Sequence, residues 1–156
     1  MKKTILCALA LLALLAAAPG TAGAARFGMG LVVGDPAGID WKLWTTRRTA
    51  LDGCFGWAFG DDGFSRITLD YLWHSPLRID SGRLWFHYGL GGSMWLGHRY
   101  RHTLESSGLG VRGVFGLERQ FPRSPFSLYG EVAPTMNVTP VGWFDLQGGV
   151  GFRFYF

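Results

Sequence analysis

The residues with the clearest capacity for catalysis lie in one polar segment, residues 97–107. Its base, acid and nucleophile types are His98, His102, Glu105, Ser106 and Ser107. A serine attacks an ester only when a base activates it and an acid orients the base, so this set holds the residue types of a hydrolase. The spacing matches no deacylase or acyltransferase pattern, and two histidines without a third ligand make a poor metal site. We therefore interpret the segment as a solvated loop.

A second group of reactive side chains falls within stretches of alternating polarity. Asp70, His74 and His87 have the types of a buried acid–base pair, but polar groups satisfied inside the fold explain them more simply. Cys54 is the only cysteine outside the first 25 residues, so we expect no intramolecular disulfide and a packed, inert thiol. The Gly-x-Gly pairs at 28–30 and 89–91 lack the helix that a nucleotide site requires. No cofactor and no metal are expected.

The stretches that must position these groups alternate with the period of β-strands. The segment 143–156 is the clearest, with Phe152, Phe154 and Phe156 on one face and Gly151, Arg153 and Tyr155 on the other. Turn residues such as Gly60-Asp61-Asp62-Gly63 separate the segments. The predicted strands are 27–34, 39–46, 50–59, 65–74, 84–96, 108–118, 126–133 and 143–156. The proline-containing stretches 75–82 and 134–140 are predicted to be connections.

Eight such strands predict an all-β fold, an eight-stranded antiparallel up-and-down transmembrane β-barrel. The interior of so small a barrel is only just wide enough for side chains to fill, so the bulky apolar face must point outward. A secreted sandwich is the alternative, but it would expose many strand glycines without any packing return. Charges of both signs can then pair in a filled lumen without an open pore. The predicted inward polar residues are Asp40, Lys42, Asp52, Arg66, Asp70, His74, His87, Arg112, Glu118, Glu131, Asp145 and Arg153.

Residues 1–25 have the order of a cleaved secretory signal peptide. Lys2 and Lys3 precede an apolar run that is shorter than the roughly 20 residues of a spanning helix, and small residues follow it. We therefore expect one mature domain, residues 26–156. Without the two lysines the formal charge falls from +4 to +2, and no basic stripe indicates nucleic-acid binding.

The signal peptide, the eight alternating segments and the terminal Phe156 together resemble the small outer-membrane β-barrel proteins of Gram-negative bacteria. More narrowly, two features look like those of one group of bacterial outer-membrane barrels: Gly34-Asp35-Pro36-Ala37-Gly38 followed by Lys42-x-Trp44, and Glu131-Val132-Ala133-Pro134 before the last strand. The resemblance implies an outer-membrane location, contact with lipid and lipopolysaccharide, and recognition of the C-terminal strand by the barrel-assembly machinery. It also implies that both termini face the periplasm and that residues 35–38, 60–63, 97–107 and 134–140 face outward.

The resemblance supplies no activity, so three functions remain open. The first is a structural or surface-interacting barrel that is not an enzyme. The second is a lipid A-modifying hydrolase that uses the loop at 97–107, and the third is a conduit or binder for a small apolar compound. Arginine makes bidentate contacts with phosphate, so the loop also predicts a contact with lipopolysaccharide. The residues of that contact are His98, Arg99, Arg101 and His102.

Overall fold

The computed structural model describes residues 26–58, 64–79, 82–97, 107–121, 124–139 and 142–156. The predicted signal peptide, residues 1–25, lies outside these ranges, and its cleavage stays a prediction. Among the described residues, no helix is long and apolar enough to cross a membrane.

Eight antiparallel strands form one closed up-and-down barrel. Each strand pairs with its neighbour in the chain, and the first strand pairs with the last to close the sheet. This confirms the predicted fold and rules out the sandwich, which would need two separate sheets. The strands are β1 (Phe27–Asp35), β2 (Ala37–Trp44), β3 (Thr49–Ala58), β4 (Phe64–Ile79), β5 (Gly82–Gly97), β6 (Ser107–Gln120), β7 (Phe126–Asn137) and β8 (Trp143–Tyr155).

The prediction that residues 75–82 form a connection was wrong, because β4 continues through Pro76 to Ile79 and β5 begins at Gly82. His74 donates its amide hydrogen to the carbonyl of Arg48, on the β3 side of β4. The backbone nitrogen of Pro76, two residues further along β4, points to the same side. At that level β3 has not yet begun, because its first residue, Thr49, pairs with Trp73. Pro76 therefore lies on a free edge, where its missing hydrogen costs no ladder bond.

The prediction of a connection at 134–140 was also wrong over its first half. Strand β7 continues through Pro134 to Asn137 and pairs with β8 at Leu146. The ladder between β6 and β7 is interrupted opposite Pro134, and the pairs on either side keep one register. The proline thus removes pairing on one side of the strand without ending it.

Side chains alternate between the outer surface and the interior along the strands. Leu69, Trp57 and Phe152 are 53%, 48% and 43% exposed on the outer surface, whereas Arg112 and Arg153 are buried. The buried apolar cluster is small and consists of Leu72, Val114 and Ala133. An apolar exterior around a charged interior reverses the arrangement of a water-soluble domain.

Candidate functional site in the barrel lumen

Arg153 on β8 is the centre of the ion network inside the barrel. Its Nε donates a hydrogen bond to Asp40 on β2, and its Nη2 lies 2.8 Å from Asp52 Oδ2 on β3. Its Nη1 lies 3.9 Å from Glu118 Oε2 on β6. The guanidinium also covers the ring of Tyr129, with Cζ 3.7 Å from the ring centroid. One cation therefore connects strands from opposite sides of the barrel.

Glu118 is fully buried, and both of its carboxylate oxygens are bonded. Lys42 Nζ donates to Oε2 at 2.5 Å, and the hydroxyl of Tyr155 donates to Oε1 at 2.7 Å. The same ammonium group lies 4.0 Å from Asp52 Oδ2. Lys42 therefore lies between two carboxylates and is bonded to one of them.

Arg112 and Arg66 hold the remaining carboxylates. Arg112 Nε lies 3.3 Å from Asp70 Oδ1 on β4, and its Nη2 lies 3.4 Å from Glu131 Oε1 on β7. Its Nη1 also donates to Gln147 Oε1 at 3.2 Å. Charges of both signs are thus paired across the lumen rather than along one strand.

Arg66 bonds two acids near the opposite end of the barrel from the chain termini. Its Nη1 and Nη2 lie 3.3 Å from Asp35 and 3.2 Å from Asp145. Gln147 donates to Asp145 at 3.1 Å and so links this group to the ion pairs deeper in the lumen. Sequence reasoning placed Asp35 in a turn and left Tyr155 and Gln147 out of the network. Strand parity alone would have pointed both of the latter inward.

Glycines make the room that these side chains occupy. A Cβ on Gly151 would lie 2.6 Å from the ring of Tyr129, and one on Gly116 would lie 2.4 Å from His87 Nε2. A cavity of about 10 Å³ beside Cys54 and Thr68 has room for about one water molecule. Large, fully buried side chains, among them Arg66, Arg153, Lys42 and Leu72, occupy the described part of the lumen.

The comparisons with known proteins show the fold. The chain is similar to the crystal structure of the N-terminal β-barrel domain of Pseudomonas aeruginosa OprF, with a TM-score of 0.59 and 14% sequence identity. The match covers 84% of this chain and 96% of that domain. No protein-family model and no curated protein matches the sequence.

The two buried histidines differ from the satisfied polar groups that the sequence predicted. Asp70 is paired, but no ring nitrogen of His74 or His87 makes a hydrogen bond of normal geometry with a described residue. The nearest acid to His87 Nε2 in the ion pairs is Glu131, at 3.7 Å, which is too long for a hydrogen bond. The rings lie side by side, with centroids 5.5 Å apart, and Trp44 packs on His74 at 4.3 Å.

The network also contains more acid than base. Within the ion pairs of the described residues, four cationic side chains meet seven carboxylates. The cations are Lys42, Arg66, Arg112 and Arg153, and the acids are Asp35, Asp40, Asp52, Asp70, Glu118, Glu131 and Asp145. Each of the four cations therefore meets at least two carboxyl groups.

The loop residues with predicted roles cannot be placed in this network. His98, Arg99, Arg101 and His102 lie outside the described residues, as do Glu105 and Ser106. Ser107 is the first residue of β6. The lipopolysaccharide contact and the hydrolase set therefore stay predictions.

Aromatic rings form belts toward both ends of the outer surface. At the end that carries the chain termini, Trp73 stacks on Tyr88 with centroids 5.9 Å apart, and Phe154 contacts Phe126 and Phe156 at 5.0 Å. Phe55 and Trp57 lie 5.3 Å apart toward the other end, and Trp143 and Phe144 are also exposed there. The exposed side chains between the belts are mainly aliphatic: Leu31, Leu69, Leu90, Val132 and Val150.

Proposed function

We propose that the chain is an integral outer-membrane β-barrel protein of a Gram-negative bacterium, with a structural or surface-interacting role and no open pore. The observation that carries the proposal is the apolar outer surface, aliphatic in the middle and aromatic toward both ends. Bacterial outer-membrane barrels present such a band to lipid, with aromatic girdles at the two interfaces. A closed barrel also satisfies its backbone groups internally, as the bilayer core requires.

The strand lengths support a membrane-spanning barrel. The strands contain between 8 and 16 residues, and about 9 to 11 tilted residues cross the hydrocarbon core. The filled lumen supports the absence of a pore, because an eight-stranded barrel has no space left once its inward side chains are large. The ion pairs then hold the barrel wall in one shape.

The proposed partners follow from location. Lipid hydrocarbon covers the apolar band, the barrel-assembly machinery recognises β8, and lipopolysaccharide phosphates meet the loop that contains Arg99 and Arg101. The last contact depends on residue types alone. It predicts that replacing both arginines by glutamine leaves the barrel folded and weakens retention on lipopolysaccharide-containing vesicles.

Fractionation of a Gram-negative host that expresses the full chain tests the proposal. We expect the protein in the outer-membrane fraction after a urea wash, and slower migration on a detergent gel after boiling than before it. Recovery in the soluble periplasmic fraction would contradict the proposal. In liposomes, the purified barrel should not speed the entry of small sugars, and the host's lipid A acyl pattern should be unchanged.

A further inference from the structure

We propose that the lumen holds a binding site for one divalent transition-metal ion, best matched to Zn²⁺, between His74, His87 and Glu118. One donor atom from each side chain lies within 4.8 Å of the other two. His74 and His87 are direct partners in the β4–β5 ladder, and Glu118 lies on the next strand, opposite Trp85. Three adjacent strands therefore bring the donors to one patch of the inner wall.

The donor set suits zinc chemistry. Two imidazoles and one carboxylate are the three protein ligands of many zinc sites that keep a fourth position open. Imidazole nitrogen favours zinc, copper and nickel over magnesium and calcium, which take oxygen ligands. Donors around a tetrahedral zinc ion lie about 3.3 Å apart, given metal–ligand bonds of about 2.0 to 2.1 Å. The three donors, which lie within 4.8 Å of one another, would move closer by up to about 1.5 Å to reach that spacing.

Two of the three donor side chains, the histidines, lack a close polar partner. The imidazoles of His74 and His87 are buried, at 3% and 0% exposure, and their nitrogens make no hydrogen bond of normal geometry with a described residue. Buried polar groups almost always have a partner, so both rings are available as ligands.

Lys42 competes with the metal for Glu118. Its Nζ lies 2.5 Å from Oε2, so metal binding at that oxygen must displace the ammonium group. Asp52, already 4.0 Å from Nζ, is the receiving carboxylate. Tyr155 keeps its hydrogen bond to the other oxygen and orients the ligand, as outer-shell partners do in zinc sites.

The chain offers a matched control because two of its four histidines, His74 and His87, belong to the proposed site, and the other two, His98 and His102, lie in the segment 97–107. The experiment uses the mature barrel without a histidine tag, treated with chelator in detergent. Zn²⁺ affinity is measured by competition with a chromophoric chelator, and Co²⁺ binding by visible absorption. Wild type and His98→Gln/His102→Gln should each bind one ion. His74→Gln/His87→Gln should bind more than about 100-fold more weakly, because loss of even an outer-shell partner costs about 10- to 100-fold.

Heat-modifiable migration shows whether each variant is folded. If the lumen variant, His74→Gln/His87→Gln, does not fold, the test rests on the loop variant, His98→Gln/His102→Gln, whose only histidines are His74 and His87. A Co²⁺ absorption band in the loop variant supports the site, and the absence of that band overturns it. Wild type that binds no zinc, or a folded lumen variant that binds as wild type does, also overturns the site. Lys42→Met should tighten zinc binding, and weaker binding would contradict the role of Glu118.

Discussion

Replacing Arg153 by methionine should destabilise the barrel more than a typical substitution does. The guanidinium is 1% exposed and is the centre of the lumen network. Glu118 and Asp52 would keep Lys42 nearby after the change, at 2.5 and 4.0 Å. Asp40 would not, because no other cation pairs with it among the described residues. The variant therefore leaves one buried carboxylate without a counter-charge.

The expected loss follows from that single unpaired acid. Removing one partner of a buried ion pair costs about 3 to 5 kcal/mol, whereas a surface substitution changes stability by less than about 0.5 kcal/mol. The expected loss corresponds to an unfolding constant about 150- to 4,000-fold larger. Arg48→Met is the matched control, because Arg48 lies exposed in the turn after β2. Adding Asp40→Asn to Arg153→Met should restore part of the loss, since the buried acid is then neutral.

Urea unfolding in detergent, followed by tryptophan fluorescence, measures these differences. The midpoint of Arg153→Met should fall well below those of wild type and Arg48→Met. Equal midpoints for the two single variants would refute the reasoning, because the network would then contribute no net stability. A double variant no more stable than Arg153→Met would refute the role assigned to Asp40.

Three further predictions test the wall of the barrel and the packing inside it. Leu69→Arg should lower the free energy of unfolding from lipid vesicles by about 2 to 4 kcal/mol, and a change below about 0.5 kcal/mol would mean that this surface faces water. Gly151→Ala should lower the free energy of unfolding in a urea titration by about 1 to 3 kcal/mol, because its Cβ would overlap the ring of Tyr129, whereas Gly130→Ala, whose nearest neighbours lie at 3.9 Å, should be as stable as wild type. Tyr155→Phe removes a hydrogen bond to a buried carboxylate and should cost about 1.5 to 3 kcal/mol in the same titration, so an unchanged midpoint would contradict the bond.

The alternation of side chains along each strand was enough to predict which residues face outward and which face inward. The period of two assigned Phe152 to one face and Arg153 to the other, and this alone separates outer from inner residues on a barrel strand. The end of β4 was not predicted correctly, because a proline normally indicates the end of a strand. It is tolerated within a strand where its nitrogen lies on a free edge, which only the register shows. Pro76 lies on such an edge, and only the start of β3 reveals it.

The sequence alone could not predict which side chains meet across the lumen. Parity predicts that Arg153 and Asp40 both point inward, but not that strands β8 and β2 place them at one height. The relative height of two residues on distant strands depends on the stagger between neighbouring strands, summed around the barrel. The meeting of His74, His87 and Glu118 depends on the same stagger. The sequence alone therefore predicts ordinary polar groups at both histidines, because only the registers from β4 to β6 place them beside Glu118.

The position of Arg153 in the last strand also bears on how the barrel closes. Strands β2, β3 and β6 carry carboxyl groups that pair with this one guanidinium. A chain shortened before β8 would lack both the second neighbour of β1 and the cation that pairs with Asp40 among the described residues. Sealing of the wall and neutralisation of that acid therefore depend on the same thirteen-residue strand, so its removal should prevent a stable barrel rather than yield a smaller one.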